Sequence, residues 1–267
     1  MSVDLEDYFC DLPFNTWNQY PSRILETTEI LLELFQKYNV TATFFTLGYV
    51  AEKFPELIKK IVSQGHEIAS HTFSHPDLRK IDLATVEDDI QKSIKILEDV
   101  SGQKILGFRS PFFSLSNDNR KVINILEKYF KYDSSIFPIK TPLYGVPNAP
   151  TQPYQISSED VSINSKGNLL EIPPAIMHFP LYGNLGIAGG FHLRFLPLFL
   201  IKYGIRKLNR QGHPAMCYIH PKDLDPNFPR IKDYGWYYYY GLKNAKQKFE
   251  SLLKEFEFTS VKNLYSL

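Results

Sequence analysis

The chain has 267 residues, of which 43% are hydrophobic and 15% aromatic, so it has enough apolar material for one sizeable core. Its 30 basic and 29 acidic residues nearly cancel, so the charge gives no reason to expect a nucleic-acid partner. The acidic start is unlike a secretion signal, and no segment reaches the roughly 18 to 20 uninterrupted apolar residues of a membrane span, so we expect a cytoplasmic protein.

Apolar spacing in the first half of the chain predicts alternating helices and strands. Helices are expected over 21–38, 51–64, 83–100 and from 116 or 117 to 129. Strands are expected over 40–47, 66–70, 105–108 and 132–136. This alternation predicts an α/β fold, a distorted or incomplete (β/α) barrel of about seven strands.

The second half is less regular. Five prolines between positions 138 and 153 predict a long loop or an inserted hairpin. Beyond them we expect strands over 169–172, 215–219 and near 258–261, helices over 193–209 and 236–256, and a loop over 182–190. The two cysteines, Cys10 and Cys217, have no CxxC spacing and suit a reducing compartment.

Polar side chains capable of catalysis follow the predicted strands. The carboxyl ends of parallel strands face one cleft, so residues that are distant in sequence can meet there. The candidates are Asp4, Glu6 and Asp7 after the first strand, then His71, His75, Arg109, Asp133 and His220.

His71 and His75 have the i, i+4 spacing that can place two imidazoles beside one metal ion. A third ligand decides whether such a pair binds metal. The acidic cluster of residues 4–7 can supply a carboxylate, which would complete a His₂-carboxylate set with an open position for water.

The same residues resemble the polysaccharide deacetylases of the NodB-homology type, carbohydrate esterase family 4. The similar segments occur in the family's order: Ser2-Val3-Asp4-Leu5-Glu6-Asp7, His71 to His75, Arg109-Ser110-Pro111-Phe112, Tyr132-Asp133-Ser134-Ser135 and Tyr218-Ile219-His220. Details of the first, fourth and fifth motifs and the Tyr-rich C-terminal helix resemble the branch associated with bacterial exopolysaccharide export clusters. That resemblance implies one NodB-like domain over 1–267, with roughly 221–267 as a C-terminal extension.

The resemblance implies a role for each matched residue. Asp4 would be the general base, His71 and His75 metal ligands, and His220 the general acid. Arg109 would orient Asp4, and Asp133 would set the charge of His220. Pro111 and Phe112 would border the substrate, with a backbone N–H near Phe112 helping to hold the oxyanion.

The first motif departs from the family pattern, in which two adjacent aspartates divide the base and ligand roles. Leu5 follows Asp4 here, so the carboxylate ligand is either Glu6, on the same face of an extended strand as Asp4, or Asp7, if the chain has already turned. We favour Asp7, because a shorter side chain holds a metal more rigidly at a strand end.

The implied function is metal-dependent N-deacetylation of an N-acetylated sugar in a bacterial polysaccharide or its precursor. The expected cofactor is one divalent ion, zinc first, with cobalt or nickel as alternatives. Two rival hypotheses are a metal-free cyclic-amide hydrolase of the allantoinase type and a catalytically silent glycan-binding module. The sequence leaves the sugar, the acyl group and the oligomeric state open.

Overall fold

The computed structural model describes residues 1–179, 183–187 and 189–267. Eight strands form one curled sheet in the order β10-β1-β2-β3-β4-β5-β7-β6, in which every pair is parallel except β6 with β7. Two further strands, β8 and β9, form an antiparallel hairpin. The strands are β1 Ser2–Leu5, β2 Thr43–Thr46, β3 Glu67–Ser70, β4 Gly107–Phe108, β5 Tyr132–Asp133, β6 Tyr154–Ile156, β7 Leu169–Glu171, β8 Ile176–Phe179, β9 Gly183–Gly186 and β10 Tyr218–Ile219.

Helices connect most of the parallel strands. They are α1 Ile24–Lys37, α2 Gly48–Lys53, α3 Pro55–Ser63, α4 Leu83–Ser101, α5 Val122–Tyr129, α6 Gly190–Phe195, α7 Leu198–Arg210, α8 Leu242–Leu253 and α9 Val261–Tyr265. The predicted α/β class and the distorted, incomplete barrel are confirmed.

The first four strands define the edge of the sheet at which the candidate residues lie. β1 is buried along its whole length and pairs with β2 and β10 in register, Ser2 opposite both Thr43 and Tyr218. β3 and β4 continue the sheet with the same direction. Residues that directly follow these strands therefore lie at one edge.

α4 shows how local sequence sets helix ends. The Asp82 side chain accepts a hydrogen bond from the Thr85 N–H at 3.0 Å, and Gly102 takes a left-handed conformation at the other end, with φ 66°. Residues of these two types are preferred at these two ends of a helix.

Several predictions for the second half are wrong in detail. The helix expected over 193–209 is two helices, α6 and α7, because Pro197 breaks the helical hydrogen bonding between them. The helix expected over 236–256 is a short 3₁₀ turn followed by α8, separated at Gly241, whose φ is 74°. The strand expected near 258–261 does not form: residues 258–260 are irregular, and α9 begins at Val261.

The loop expected over 182–190 falls partly outside the described residues. Where the structure describes it, residues 183–186 form β9, and α6 begins at Gly190. The Pro-rich stretch is irregular as predicted, and β6 follows it. In the described part of the chain, none of the helices has the length and apolar character needed to cross a bilayer.

Candidate active site

The catalytic candidates converge at one edge of the sheet. Asp4 lies in β1, and Glu6 follows it directly. His71, Arg109 and His220 each come immediately after β3, β4 and β10. Because the carboxyl ends of parallel strands meet at one edge, Asp4 and His220 lie within a few ångströms of each other although they are more than 200 positions apart in the sequence.

Glu6, His71 and His75 form a buried three-residue cluster. One donor atom from each lies within 4.8 Å of the others. Glu6 Oε2 is 2.7 Å from His75 Nε2 and 3.8 Å from His71 Nε2. Burial lowers the pKa of His71 to about 4, which keeps this imidazole neutral and able to ligate.

This donor set fits a divalent cation of the zinc type. His71 Nδ1 contacts the Arg109 carbonyl oxygen at 2.8 Å, so the second ring nitrogen is directed into the cluster. Glu6 Oε2 is buried without a well-directed hydrogen bond from the rest of the described protein. Two imidazoles and one carboxylate form a typical zinc ligand set that leaves a further position for substrate or water.

The two histidines lie on a tight loop rather than a helix. Thr72 and His75 both have positive φ, 68° and 56°. The Asp89 carboxylate holds this loop by accepting hydrogen bonds from the Phe73 N–H at 2.6 Å and the Ser74 hydroxyl at 2.6 Å. The two histidines are therefore brought together by a turn that Asp89 stabilises. The sequence analysis did not identify Asp89.

Asp7 lies outside this cluster, which corrects our preference for it as the carboxylate ligand. The chain turns after β1, with the Glu6 N–H bonded to the Asp4 carbonyl. The Asp7 carboxylate instead accepts hydrogen bonds from the Ser22 hydroxyl and the Tyr8 and Arg23 backbone N–H groups. Glu6 is the carboxylate that the structure brings to the imidazoles.

Asp4 and Arg109 form a buried ion pair. Arg109 Nη1 lies 2.6 Å from Asp4 Oδ1, and the Arg109 side chain is fully buried. The same guanidinium donates to the Ser134 carbonyl at 3.0 Å and to the Ser134 hydroxyl at 2.8 Å. Arg109 therefore has the geometry to orient Asp4, as the resemblance implies.

His220 lies close to the carboxylates of both Asp4 and Glu6. Its Nε2 is 3.7 Å from Asp4 Oδ2 and 3.6 Å from Glu6 Oε1. Its Nδ1 is 2.8 Å from Asp223 Oδ2. Burial alone would lower the pKa of His220, but the Asp223 carboxylate overcomes it and raises that pKa above its usual value.

The partner of His220 is thus Asp223 and not Asp133, which corrects the role expected for Asp133. Asp133 ends β5 and accepts a hydrogen bond from the Ser135 hydroxyl at 2.5 Å. It lies opposite Glu171 across the β5–β7 pair. A signal for Asp223 existed in the sequence, because an acidic residue three positions after His220 resembles a capping box.

Asp133 and Glu171 form a second buried carboxyl pair. Burial raises the pKa of Asp133 to about 6, and burial together with the Asp133 charge raises the pKa of Glu171 well above its usual value. The folded protein therefore holds protons on this pair that the unfolded chain releases near pH 4. The favourable contribution of this pair to the free energy of unfolding is complete at low pH and is lost as the pH rises through about 6.

We expect Glu171→Gln to reduce this pH dependence. Glutamine keeps the shape and the acceptor for the Ile136 N–H, and it carries no charge. Relative to wild type, the variant should gain free energy of unfolding between pH 5 and pH 8, because one carboxyl group of the buried pair can no longer ionise. Urea unfolding at both pH values measures this. Glu52→Gln, at an exposed position, is the matched control, and an equal gain in both variants would contradict the assignment.

Lys222 is a site residue that the sequence analysis missed. Its ammonium lies 2.6 Å from Glu6 Oε1 and 3.1 Å from Asp11 Oδ2. Burial alone would raise the pKa of Glu6, but Lys222 and His75 hold it well below its usual range. Because Lys222 occupies Oε1, it leaves Oε2 as the carboxylate oxygen directed at the imidazoles.

Phe112 borders the cluster, and Pro111, directly before it, is buried. The Phe112 ring lies 4.6 Å from the His75 ring, centroid to centroid, at an angle of 61°. Phe112 has a positive φ of 57°, so the chain bends sharply at this point. The oxyanion role of a nearby backbone N–H stays a prediction.

Comparisons with known proteins agree with this site. Residues 14–129 match the model of the polysaccharide deacetylase family, and residues 134–266 match DUF3473, a domain of unknown function. The peptidoglycan deacetylase of Helicobacter pylori is 36% identical over 106 residues, which are 40% of this chain and 36% of that protein. The chain thus matches about a third of the length of this curated relative.

Two solved structures share the fold. A candidate polysaccharide deacetylase from Mycobacterium smegmatis superposes with a TM-score of 0.62 at 19% identity, covering 99% of this chain and 88% of that one. Puue allantoinase gives 0.58 at 18% identity, covering 97% and 78%. Identities this low show a common fold alone, so the family rests on the sequence match. Residues 14–129 of this chain are thus similar to the polysaccharide deacetylase family, hydrolases that act on the amide bonds of N-acetylated sugars.

Proposed function

We propose that this protein is a metal-dependent N-deacetylase that hydrolyses the acetamide of an N-acetylated sugar in a bacterial glycan or its precursor. The proposal rests on one observation: three groups of side chains lie together at one edge of the sheet. These are the Glu6–His71–His75 cluster, the Asp4–Arg109 pair and the His220–Asp223 pair.

A divalent cation held by Glu6, His71 and His75 would polarise the acetamide carbonyl and favour deprotonation of the attacking water. Asp4 accepts the proton that this water loses as its oxygen adds to the carbonyl carbon. Arg109 keeps the Asp4 carboxylate in place during this transfer. The Asp4 atom nearest to His220, Oδ2, is the one not paired with Arg109 Nη1.

His220 completes the reaction from the other side. Its Nε2 gives a proton to the sugar nitrogen as the C–N bond breaks, so the products are acetate and a free amine. Asp223, at Nδ1, holds the imidazole in the orientation needed for this transfer. The raised pKa of His220 favours its protonated form at the start of this step.

The finer assignment is an N-acetylated glycan made for export, processed in the cytoplasm. The first-motif pattern Val3-Asp4-Leu5-Glu6-Asp7 and the closing Ile219-His220-Pro221 support the exopolysaccharide branch. Two buried free thiols, Cys10 and Cys217, suit a reducing compartment.

Acetate release tests the proposal. Protein reconstituted with zinc, cobalt or nickel is incubated with N-acetylated chitooligosaccharides and with peptidoglycan fragments, and acetate and new amines are both quantified. Equal amounts of acetate and amine from one of these substrates would support the proposal. Ring opening of allantoin without any acetate release would transfer the assignment to the cyclic-amide class, and glycan binding without turnover would favour a silent module.

A further inference from the structure

We infer that Arg194 is a positioning residue for His220, acting through Asp223, and that the tyrosine segment, residues 236–240, holds Arg194 in place. The inference rests on the proposed function, because it assigns His220 the proton transfer described above. It gives the part of the chain that matches a domain of unknown function a direct role in the active site.

Asp223 divides its two oxygens between His220 and Arg194. Oδ2 lies 2.8 Å from His220 Nδ1 and also accepts the His220 N–H at 3.0 Å. Oδ1 lies 2.9 Å from Arg194 Nε. Asp223 is 3% exposed and Arg194 is 8% exposed, so the pair is shielded from solvent and its charges interact strongly. The carboxylate is therefore held from both sides.

The other end of the Arg194 guanidinium is fixed by the tyrosine segment. Nη1 donates to the backbone carbonyls of Tyr237 at 3.0 Å, Tyr238 at 3.0 Å and Tyr240 at 2.8 Å. These acceptors are main-chain atoms, so their positions depend on the fold of the segment rather than on side-chain rotamers. The position of the Arg194 guanidinium beside Asp223 therefore depends on the position of the tyrosine segment.

Close packing at Gly190 leaves the Asp223 carboxylate little room to move. A Cβ atom placed on Gly190 would lie 1.7 Å from Asp223 Oδ2. The start of α6 therefore lies directly against the oxygen that contacts His220, and Arg194 projects from the same short helix. α6 fixes both the wall and the charge that hold Asp223.

Lys248 offers a matched control within the same region. Its ammonium donates to the carbonyls of Leu193 at 3.1 Å, Arg194 at 3.1 Å and Leu196 at 2.9 Å. It therefore stabilises the end of α6, the helix that carries Arg194, by the same kind of three-carbonyl contact, and none of its described contacts reaches Asp223 or His220. A variant at Lys248 therefore measures the general effect of loosening the end of α6 while the charge of Arg194 stays beside Asp223.

The experiment compares Arg194→Met, Arg194→Lys and Lys248→Met in the metal-loaded, full-length protein. We expect Arg194→Met to lower kcat about 10- to 100-fold with KM within about twofold of wild type, as for other residues that orient a reacting group. Arg194→Lys should recover part of this loss, because lysine retains a charge beside Asp223. Lys248→Met should leave kcat within about twofold of wild type.

Wild-type kcat in Arg194→Met, or an equal loss in Lys248→Met, would overturn the inference. A second readout keeps it separate from the proposed function. In ¹⁵N NMR spectra, the His220 Nδ1 resonance reports the hydrogen bond to Asp223 whether or not a substrate is known. We expect this resonance to move in Arg194→Met and to stay in Lys248→Met. An unmoved resonance in Arg194→Met would refute the positioning role even if acetate release is established.

Discussion

Asp4→Asn is expected to lower kcat for acetate release by about 10²- to 10⁴-fold, the usual contribution of a general base. Asparagine has nearly the same shape, but it cannot take up the proton that the attacking water must lose. Because Asp4 is not one of the three clustered donors, the variant should bind the same amount of metal as wild type. Loss of turnover with retained metal would separate the base from the ligands.

The control for this variant is Asp88→Asn, which makes the same change at an exposed position on α4. It should retain wild-type kcat. Initial rates of acetate release and metal content by elemental mass spectrometry are measured on the same samples. Wild-type turnover in Asp4→Asn would contradict the assignment of the base.

Arg109→Met is expected to lower the free energy of unfolding by about 3 to 5 kcal/mol. Arg109 is fully buried, so its removal leaves the Asp4 carboxylate without its 2.6 Å partner and frees the Ser134 acceptors. An unpaired buried charge accounts for most of this loss. Urea unfolding measures the change.

A double variant tests this explanation. In Asp4→Asn/Arg109→Met no unpaired charge is left between the two positions, so the double variant should be more stable than additivity predicts. Arg79→Met is the surface control, because Arg79 pairs with Asp77 at 2.8 Å but is substantially exposed, and its loss should cost under about 1 kcal/mol. A loss of that size in Arg109→Met would show that the buried pair contributes little.

The sequence was sufficient to predict the location of those candidate residues that lie at or directly after the end of a strand. Asp4, His71, Arg109 and His220 all lie where the end of a parallel strand places them. This succeeds because parallel pairing brings the carboxyl ends together regardless of separation in the chain. The alternating pattern likewise predicted the barrel-like α/β fold.

The side-chain partners could not be predicted in this way. The choice between Glu6 and Asp7 depends on a turn that begins directly after β1, and one residue of turn redirects both side chains. Asp133 faces Glu171 because of the β5–β7 register, which apolar periodicity does not specify. The contacts of Lys222 with Glu6 and of Arg194 with Asp223 join residues that are distant in the sequence, so they depend on tertiary packing alone.

The metal content of purified, reconstituted protein shows whether the Glu6–His71–His75 cluster binds an ion, on which the proposed reaction depends. Elemental mass spectrometry is applied to wild type, Glu6→Gln, His71→Ala, His75→Ala and Asp7→Asn after incubation with zinc, cobalt or nickel and removal of excess ion. Circular dichroism confirms that each variant is folded.

We expect about one divalent ion per chain in wild type and Asp7→Asn, and loss of that ion in Glu6→Gln, His71→Ala and His75→Ala. Full metal content in folded Glu6→Gln and both histidine variants, or no ion bound by wild type after reconstitution with any of the three metals, would contradict this expectation.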